Sequence, residues 1–388
     1  METSKLVKAG ACTLGRAFGY TPKVSIRLIE EAGSIEALFR LSERERDSLL
    51  GPFSRFRGSL SDAEVIRSGR ELDALRTKGI DFIALGETGY PQALAECPDC
   101  PAGLYVISPS SPEELFDDSP FISIVGTRDI SLYGQEWTRR IVFTLSQAQR
   151  KPVIVSGLAY GVDICAHRAA LEAGLRTIAV IPTGPEAIYP QGNARDAHRI
   201  ASTPGCGLVT DFPPGTGAQA ATFLRRNRII AGLSSSTIVV ESKRKGGSLI
   251  TAHTAFSYSR DVWALPGRID DIRSEGCNML LREKVAEPIA DLEALPEALG
   301  LGAWNRRRKA ELQEEVRQRF APHTDPDTLD KLCRIAVQIK LNRGICVEEL
   351  ASQLDLDYPE TLTLVGTLEA EGFIVTDLLQ RCSILVRN

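Results

Sequence analysis

The chain has 388 residues, of which 43% are hydrophobic and 25% are charged, a globular composition long enough for two or three domains. Its net charge of -4 argues against indiscriminate nucleic-acid binding, although it allows a basic groove on an acidic body. No apolar run approaches the roughly 20 residues that span a bilayer, and the first residues lack a signal-peptide core, so we expect a cytoplasmic protein without membrane association.

The nine cysteines are odd in number and scattered, which predicts buried thiols in a reducing compartment. Cys97 and Cys100 form a lone CxxC with no second pair or nearby histidine, so they lack the ligands of a structural zinc site. No metal and no organic cofactor is predicted.

Residues 1–70 predict a small helical module. Val24–Ala32 has helical periodicity, and Ser34 and Ser42 are natural N-caps for the helices that follow them. A strand candidate at Ile80–Leu85 comes next. The acidic, Ser/Pro-rich stretch Ser108–Pro120 then leads into the central part of the chain.

Strand and helix patterns alternate through a central domain placed at residues 71–298. Short apolar strands separated by amphipathic helices predict a doubly wound, extended Rossmann-like and mostly parallel sheet, an α/β fold covered on both faces. The main strand candidates are Phe121–Val125, Val153–Val155, Thr177–Ile181, Leu208–Thr210, Thr237–Val240 and Asp261–Leu265.

Five of these strands are followed by glycine with hydroxyls or cations nearby. Ligands of such sheets bind at the carboxyl ends of the strands, so these turns predict a rim suited to a chain of phosphates. The turns are Gly126-Thr127-Arg128, Ser156-Gly157, Pro182-Thr183-Gly184, Asp211 to Gly217, and Lys245-Gly246-Gly247-Ser248.

A basic stretch precedes the last of these turns. From Thr222 to Lys245 there are six Lys or Arg and one acid, a local charge of +5. A helix starting near Thr222 turns Phe223 and Ile230 toward a core and places Arg225 and Arg228 side by side on another face. We interpret this cluster as an anion site, with a solvated charged face as the alternative.

Motifs of catalysis are missing. The turn after Phe121–Val125 lacks the GxGxxG fingerprint of dinucleotide enzymes, and no GxSxG, GxxxxGK[ST] or HExxH motif occurs. His167 and Asp163 fit helix packing and helix-start roles better than acid–base catalysis. Asn227, between two arginines, is interpreted as positioning backbone. No catalytic residue is predicted.

Several motifs together resemble the DNA-processing protein A (DprA/Smf) family, from about residue 79 to residue 290. In chain order they are Phe121-Ile-Ser-Ile-Val-Gly-Thr-Arg128, Val155-Ser-Gly-Leu-Ala-Tyr-Gly-Val-Asp163 with Ala166-His167, Thr177-Ile-Ala-Val180, Tyr189-Pro190 with Asn193, Arg226-Asn-Arg-Ile-Ile-Ala-Gly-Leu233, Gly247-Ser-Leu-Ile-Thr-Ala252 and Leu265-Pro-Gly267.

The resemblance implies a non-enzymatic, homodimeric protein that binds single-stranded DNA on an extended Rossmann fold. It also implies loading of the RecA recombinase during natural transformation and homologous recombination, with single-strand-binding protein as a further candidate partner. A SAM-like helical module at the N-terminus and a winged helix at the C-terminus are common attachments in this family.

The family's strand-binding arginine falls on Arg128, and its phenylalanine with following cations falls on Phe223, Arg226 and Arg228. Phe223 is equally suited to the core or to base stacking. The residues predicted to contact DNA are Gly126, Thr127, Arg128, Ser156, Gly157, Phe223, Arg225, Arg226, Asn227, Arg228, Lys245, Gly246, Gly247 and Ser248. The chain departs from the family pattern at Leu224, Gln191 and Gly247, so the path of the DNA stays open.

Residues 299–327 are interpreted as a charged linker that contains the basic run Arg306–Lys309. Residues 328–388 predict three helices and a hairpin, a winged helix. Leu329–Asn388 has six Lys or Arg and nine Asp or Glu, a charge of -3, so we expect this module to contact protein and not a DNA groove.

Two other functions stay open. One is a nucleotide-processing enzyme similar to the phosphoribohydrolases, whose Pro-Gly-Gly-x-Gly-Thr-x-x-Glu loop has only a faint counterpart in Pro213–Gly217. The other is a scaffold protein without affinity for DNA.

Overall fold

The computed structural model describes residues 3–302, 307–342, 344–377 and 380–384, which fall into two units, Met1–Trp304 and Asn305–Asn388. Five helices precede the first strand, as the helical patterns of this region predict. They are α1 (Thr3–Phe18), α2 (Pro22–Ala32), α3 (Ile35–Arg40), α4 (Glu43–Leu50) and α5 (Asp62–Arg76).

The two predicted N-caps are confirmed. Ser34 Oγ accepts the N–H of Ala37 at 3.0 Å, and Ser42 forms a reciprocal capping box with Glu45. These contacts satisfy first-turn amides that have no partner within the helix. The apolar faces of the helices pack on Phe82 and Tyr105, so this module shares a hydrophobic core with one end of the sheet.

Nine strands form the sheet of the first unit, and their bounds agree with the predicted strands to within two residues where both exist. They are β1 (Asp81–Ala84), β2 (Gly103–Ile107), β3 (Phe121–Val125), β4 (Val153–Ser156), β5 (Thr177–Val180), β6 (Gly207–Thr210), β7 (Ser236–Val239), β8 (Asp261–Ala264) and β9 (Glu287–Pro288).

The strand order is β1-β2-β6-β5-β4-β3-β7-β8-β9; β2 is antiparallel to both of its neighbours, β1 and β6, and all the other neighbouring strands are parallel. From β3 the chain moves outward through β4, β5 and β6, and it then returns to the other side of β3 to place β7, β8 and β9. The switch point of the topology therefore lies between the carboxyl ends of β3 and β7, where doubly wound sheets bind ligands.

Helices cover both faces of this sheet, because both faces of its central strands are apolar. Val125 and Val239 pack against α11 (Ala220–Leu233) and α12 (Gly247–Ser257), whereas Ile124 and Ile238 pack against α8 (Leu132–Ser146) and α9 (Val162–Glu172). The helices of this region are α6 (Gln92–Ala95), α7 (Pro112–Leu115), α8 (Leu132–Ser146), α9 (Val162–Glu172), α10 (Ala194–Ser202), α11 (Ala220–Leu233), α12 (Gly247–Ser257), α13 (Glu275–Arg282) and α14 (Leu295–Ala298), with a 3-10 turn at Gln191–Asn193.

His167 is fully buried between α9 and the sheet. Thr177 Oγ1 donates to the carbonyl of Ile154 at 2.8 Å, so His167 Nδ1 must donate to Thr177 Oγ1, 2.7 Å away. The other ring nitrogen, Nε2, has no partner among the described residues. Burial and then the charge of Arg226 lower the pKa of His167 to about 3, so the imidazole is neutral and has the packing role that the sequence favours.

We expect His167 to make the folded state less stable in acid. Its folded pKa lies below the ordinary value of 6.5, so the unfolded chain binds one more proton between these values. The contribution of neutral His167 to the free energy of unfolding is complete above about pH 6.5. It is lost as the pH falls toward 3, by up to about 1.4 kcal/mol for each pH unit. Measured by urea unfolding, the free energy of unfolding of His167→Asn should depend less steeply on pH than that of the wild type. A variant with the wild-type slope of unfolding free energy against pH would refute this role of His167. His198 is exposed, so His198→Asn serves as the control.

In the second unit, the described part of residues 328–388 forms the three helices and the hairpin that the sequence predicts, with a short additional strand that pairs with the hairpin. A fourth helix of this unit, α15 (Arg307–Phe320), forms within the segment interpreted as a linker, and its Leu312, Val316 and Phe320 pack into the core of this unit. Arg306 lies outside the described residues, as do the side chains of residues 307–309. The elements are α15 (Arg307–Phe320), α16 (Pro326–Leu341), β10 (Ile345–Cys346), α17 (Val347–Leu354), α18 (Tyr358–Ala370), β11 (Ile374–Thr376) and β12 (Arg381–Ile384).

Within the described ranges, no helix is both long and apolar enough to cross a bilayer. The same residues contain no group of three or more His, Cys, Asp or Glu side chains arranged to hold a metal ion. The division of the first unit at about residue 70 stays a prediction.

Candidate nucleic-acid interface

A cleft of about 290 Å³ opens at the switch point of the sheet. The turns after β3 and β7 and the start of α9 form its walls, and α11 crosses beside them. It is lined by Val125, Gly126, Thr127, Arg128, Ala159, Asp163, Phe223, Leu224, Arg226, Asn227, Ile230, Ser242, Lys243, Lys245, Gly246, Gly247, Ser248 and Thr251.

Two glycines allow the backbone to approach closely around this cleft. A Cβ on Gly126 would overlap Val162 and the carbonyl of Glu241, so the turn after β3 needs glycine to pass between α9 and β7. A Cβ on Gly157 would overlap the guanidinium of Arg226. Gly157 therefore supports the site by making room for this arginine.

Arg226 lines the cleft although only 3% of the residue is exposed. Its Nε and Nη1 have no hydrogen-bond partner, and no carboxylate in the described chain lies within ion-pair distance. Burial lowers its pKa to about 10, with Asp163 opposing this decrease and Arg128 adding to it. Arg226 is therefore charged at neutral pH, and an anion in the cleft would supply its missing partner.

Asp163 is the carboxylate whose negative charge acts on Arg226 and raises its pKa. Its Oδ2 accepts the N–H of Gly157 at 3.1 Å. Burial raises the pKa of Asp163, and the charge of Arg226 acts in the opposite direction. The interpretation of Asp163 as a helix-start residue missed this electrostatic role, since no local pattern pairs it with α11.

The N-terminus of α12 opens into the same cleft. Gly246 is its N-cap and provides no side chain to cap the first turn, and the N–H groups of Gly247 and Ser248 donate to no described residue. Free amides at a helix N-terminus attract anions through hydrogen bonds and the helix dipole. Ser248 Oγ is used internally, because it donates to Ser242 Oγ at 2.8 Å.

An aromatic and cationic surface forms the outer edge of the cleft. The guanidinium carbon of Arg128 lies 4.8 Å from the centre of the Phe223 ring, and Tyr189 contacts the same ring edge-on at 5.4 Å. Phe223 is half-buried and belongs to none of the hydrophobic cores, while Tyr189 is 40% exposed. We call Arg128, Phe223 and Tyr189 the aromatic edge.

Exposed cations and an amide complete the lining. Lys245 has no ion-pair partner among the described residues, whereas Lys243 lies 3.5 Å from the exposed carboxylate of Asp129. Arg244 belongs to the same turn but does not line the cleft. Asn227 Nδ2 donates to the carbonyl of Gly247 at 3.4 Å, a backbone-positioning contact of the kind that the sequence favours.

Arg225 and Arg228 do not line the cleft, which corrects their expected place on a phosphate-binding rim. Both donate to Asp211 Oδ2, at 2.7 and 2.5 Å, and all three side chains are at least nine-tenths buried. Arg228 also donates to the carbonyl of Asp99. Asp211, at the end of β6, lies against the face of α11 that points away from the cleft. Arg225 and Arg228 are on this face, so they pair with Asp211 inside the fold.

Other predicted site residues are also used within the fold. Ser156 is buried, and its hydroxyl donates to the carbonyl of Ile124 at 2.6 Å. Only the turns after β3, β4 and β7 contribute residues to the cleft lining, so the expected convergence of five strand ends is reduced to three. The turn Pro213–Gly217, which weakly resembles the phosphoribohydrolase loop, is not among the lining residues.

Sequence reasoning missed Tyr189 and Asp211 as determinants of this region. Tyr189-Pro190 belongs to one of the family motifs, so its position could have pointed to the site. Asp211 had no such signal, because only the folded chain brings it under α11.

The chain matches the sequence profile of the family described as DNA recombination-mediator protein A over residues 81–300. It is similar to Protein Smf of Synechocystis sp., with 38% identity over 232 residues that cover 59% of this chain and 56% of that protein. Protein Smf of Escherichia coli is 40% identical over 209 residues, covering 53% and 54% of the two chains. The match spans about half the length of both relatives.

Among solved structures, the fold resembles DNA processing protein A (DprA) from Streptococcus pneumoniae. The TM-score is 0.60 at 31% identity, and the likeness covers 76% of this chain and 96% of that chain.

Proposed function

We propose that this chain, which belongs to the DNA recombination-mediator protein A family by its match over residues 81–300, binds single-stranded DNA in the cleft. The observation that carries the proposal is the contact of the aromatic edge with a cleft that contains the unpaired guanidinium of Arg226. Single-strand binders combine these two features, because phosphates need cations and unpaired bases need ring faces.

Three kinds of group in the cleft would donate hydrogen bonds to the phosphates of the DNA. Arg226 and Lys245 supply charge, the first turn of α12 supplies free N–H groups, and Arg128 adds a guanidinium at the cleft mouth. Guanidinium groups grip phosphates through paired hydrogen bonds. Arg225 and Arg228 support the fold in this proposal and make no contact with DNA.

Bases would lie on the aromatic edge. The half-buried Phe223 and the exposed Tyr189 offer π surface without groups that read the edges of bases, so we expect little sequence preference. Phe223 thereby serves as a stacking platform and not as a core residue.

Family membership supports finer proposals. The protein acts as a homodimer, carries out no bond-breaking, and loads the RecA recombinase onto strands from which single-strand-binding protein is displaced during transformation and recombination. Its winged helix contacts protein, since α18 contains no Lys or Arg. A chain that binds no single-stranded DNA cannot load a recombinase on it, so an oligonucleotide titration also tests that role, and the solution mass tests the dimer.

Titration with fluorescent oligo-dT at several salt concentrations tests DNA binding. Removal of one cation that binds a phosphate should reduce the slope of log affinity against log salt by about 0.7. Arg128→Ala and Lys245→Ala should each show this reduction, with affinity about three- to tenfold lower at moderate salt.

Arg244→Ala is the matched control, because it removes the same charge from the same turn outside the cleft. Equal decreases in affinity for Lys245→Ala and Arg244→Ala would mean that the cleft has no special role. Absence of wild-type binding at low salt would rule out the function itself.

A further inference from the structure

The inner end of the cleft combines a buried cation with a closed floor. Arg226 is 3% exposed, and its Nε and Nη1 have no partner in the part of the chain that the structure describes. Val125 and Ile230, which line the same cleft, are 3% and 1% exposed, and the backbone of Gly157 packs directly against Arg226 Nη1. The side of the guanidinium at Gly157 is therefore closed, and a ligand can approach it only from the cleft.

The N–H groups of α12 point to the same ligand chemistry. Gly247 and Ser248 line the cleft, their backbone N–H groups donate to no described residue, and these amides do not depend on any titrating side chain. A buried guanidinium and a free helix N-terminus are two independent donors of hydrogen bonds to oxyanions. The inner cleft is therefore built for a phosphate group.

The size of the cleft favours binding of the end of a DNA strand over binding of an internal part of that strand. About 290 Å³ is close to the lower limit of roughly 300 Å³ for small-molecule pockets, which suits one nucleotide. To place an internal phosphodiester beside Arg226, the DNA strand would have to enter and leave through the same opening of the cleft. A terminal phosphate requires only one length of DNA to pass through this opening.

The negative charge of the phosphate group also favours a terminal phosphate over an internal one. A phosphomonoester carries almost two negative charges at neutral pH, because its second pKa is about 6, whereas a phosphodiester carries one. Four cations line the cleft, Arg128, Arg226, Lys243 and Lys245, and Asp163 is the single carboxylate among the lining residues, so the lining has a positive balance. The additional charge of a monoester is thus favoured most at the buried guanidinium.

We infer that the inner cleft binds a terminal phosphomonoester, so that the protein prefers single-stranded DNA whose end carries a phosphate. This inference rests on the proposed function, since it assigns a ligand group to the same cleft. Strand ends produced by nucleolytic cleavage are the class of substrate that would present such a group.

The test compares oligo-dT of about 12 nucleotides, within the usual range of single-strand site sizes, carrying a 5′-phosphate, a 3′-phosphate or hydroxyls at both ends. We expect the better phosphorylated form to bind about tenfold more tightly than the hydroxyl form near pH 7.5. The preference should decrease near pH 5.5, where the monoester takes up its second proton.

Competition identifies the recognised group without any variant. Thymidine 5′-monophosphate should compete with the phosphorylated oligonucleotide, and thymidine should not. If inorganic phosphate competes equally well, the group alone is recognised and the inference still holds. If neither phosphate compound competes at millimolar concentration, it is overturned.

Gly247→Pro tests the contribution of α12 without removing a charge. Proline is tolerated at the first helical position and deletes its N–H, and the φ of -76° and ψ of 144° at Gly246 suit a residue before proline. A Cβ at Gly247 meets no atom within 4 Å, so the fold should persist, as circular dichroism can verify. We expect the phosphate preference to fall severalfold, whereas Arg244→Ala should retain it.

The outcomes separate this inference from the proposed function. Equal affinities for phosphorylated and hydroxyl-ended oligonucleotides would overturn the terminal-phosphate site and leave single-strand binding in place. Failure of every oligonucleotide to bind would overturn both. An unchanged preference in Gly247→Pro would also contradict the site, because the N–H of residue 247 that is assigned to the phosphate would then contribute nothing.

Discussion

Replacing Asp211 with asparagine is expected to lower the free energy of unfolding by about 3–5 kcal/mol. Arg225 and Arg228 both donate to Asp211 Oδ2, and their side chains are 8% and 9% exposed. Loss of the carboxylate charge would leave two buried guanidiniums with no other ion-pair partner among the described residues. Such uncompensated charges are far more costly than the loss of an exposed ion pair.

Asp129→Asn is the matched control for this variant. Asp129 is also paired with two cations, Lys243 at 3.5 Å and Arg273 at 3.0 Å, but 62% of its side chain is exposed. Solvent screens these ion pairs, so Asp129→Asn should leave the free energy of unfolding almost unchanged. Urea unfolding measures both variants, and equal destabilisation of the two would contradict the structural role of Asp211.

Arg226→Met is expected to separate binding from stability. Arg226 is buried like Arg225 and Arg228 but has no ion-pair partner among the described residues, and burial already lowers its pKa to about 10. Methionine fills similar space without a charge to desolvate, so stability should change by less than about 1 kcal/mol. Affinity for oligo-dT should fall about ten- to hundredfold, because a charged hydrogen-bond donor to phosphate is removed.

Arg225→Met makes the same chemical change one residue earlier in α11. We expect it to destabilise the protein, because it removes one of the two partners of Asp211 and the guanidinium that lies over the Phe212 ring at 4.3 Å. Oligo-dT titration and thermal unfolding of both variants provide the comparison. Strong destabilisation of Arg226→Met, or intact binding by it, would contradict the role assigned to the buried guanidinium.

Arg225 also connects the helical module to the sheet. Its guanidinium lies 5.0 Å from the Tyr20 ring, beyond the end of α1, and 4.3 Å from the ring of Phe212. A Cβ on Gly19 would overlap this guanidinium, so the N-terminal chain passes directly over it. The cation that the sequence assigned to DNA therefore holds two parts of the first unit together.

Much of the architecture could be predicted because its signals are local. The apolar runs at β3, β4 and β7 are read from a few consecutive residues, and the glycine turns after them follow from backbone conformation. The family motifs also predicted the order of the strands and helices along the central domain. The cleft after β3 and β7 could be anticipated in the same way, since parallel strands bring their carboxyl ends to one edge.

The sequence by itself determined that α11 would carry three arginines next to a glycine-rich turn in an α/β sheet. Only the tertiary structure decided their roles, because helical periodicity gives the relative directions of side chains and not the groups that they meet. Asp211 at the end of β6 pairs with Arg225 and Arg228, while Arg226 lines the cleft and has no ion-pair partner in the described part of the chain. The difference arises from the packing of distant strand ends against one helix, which no local pattern encodes.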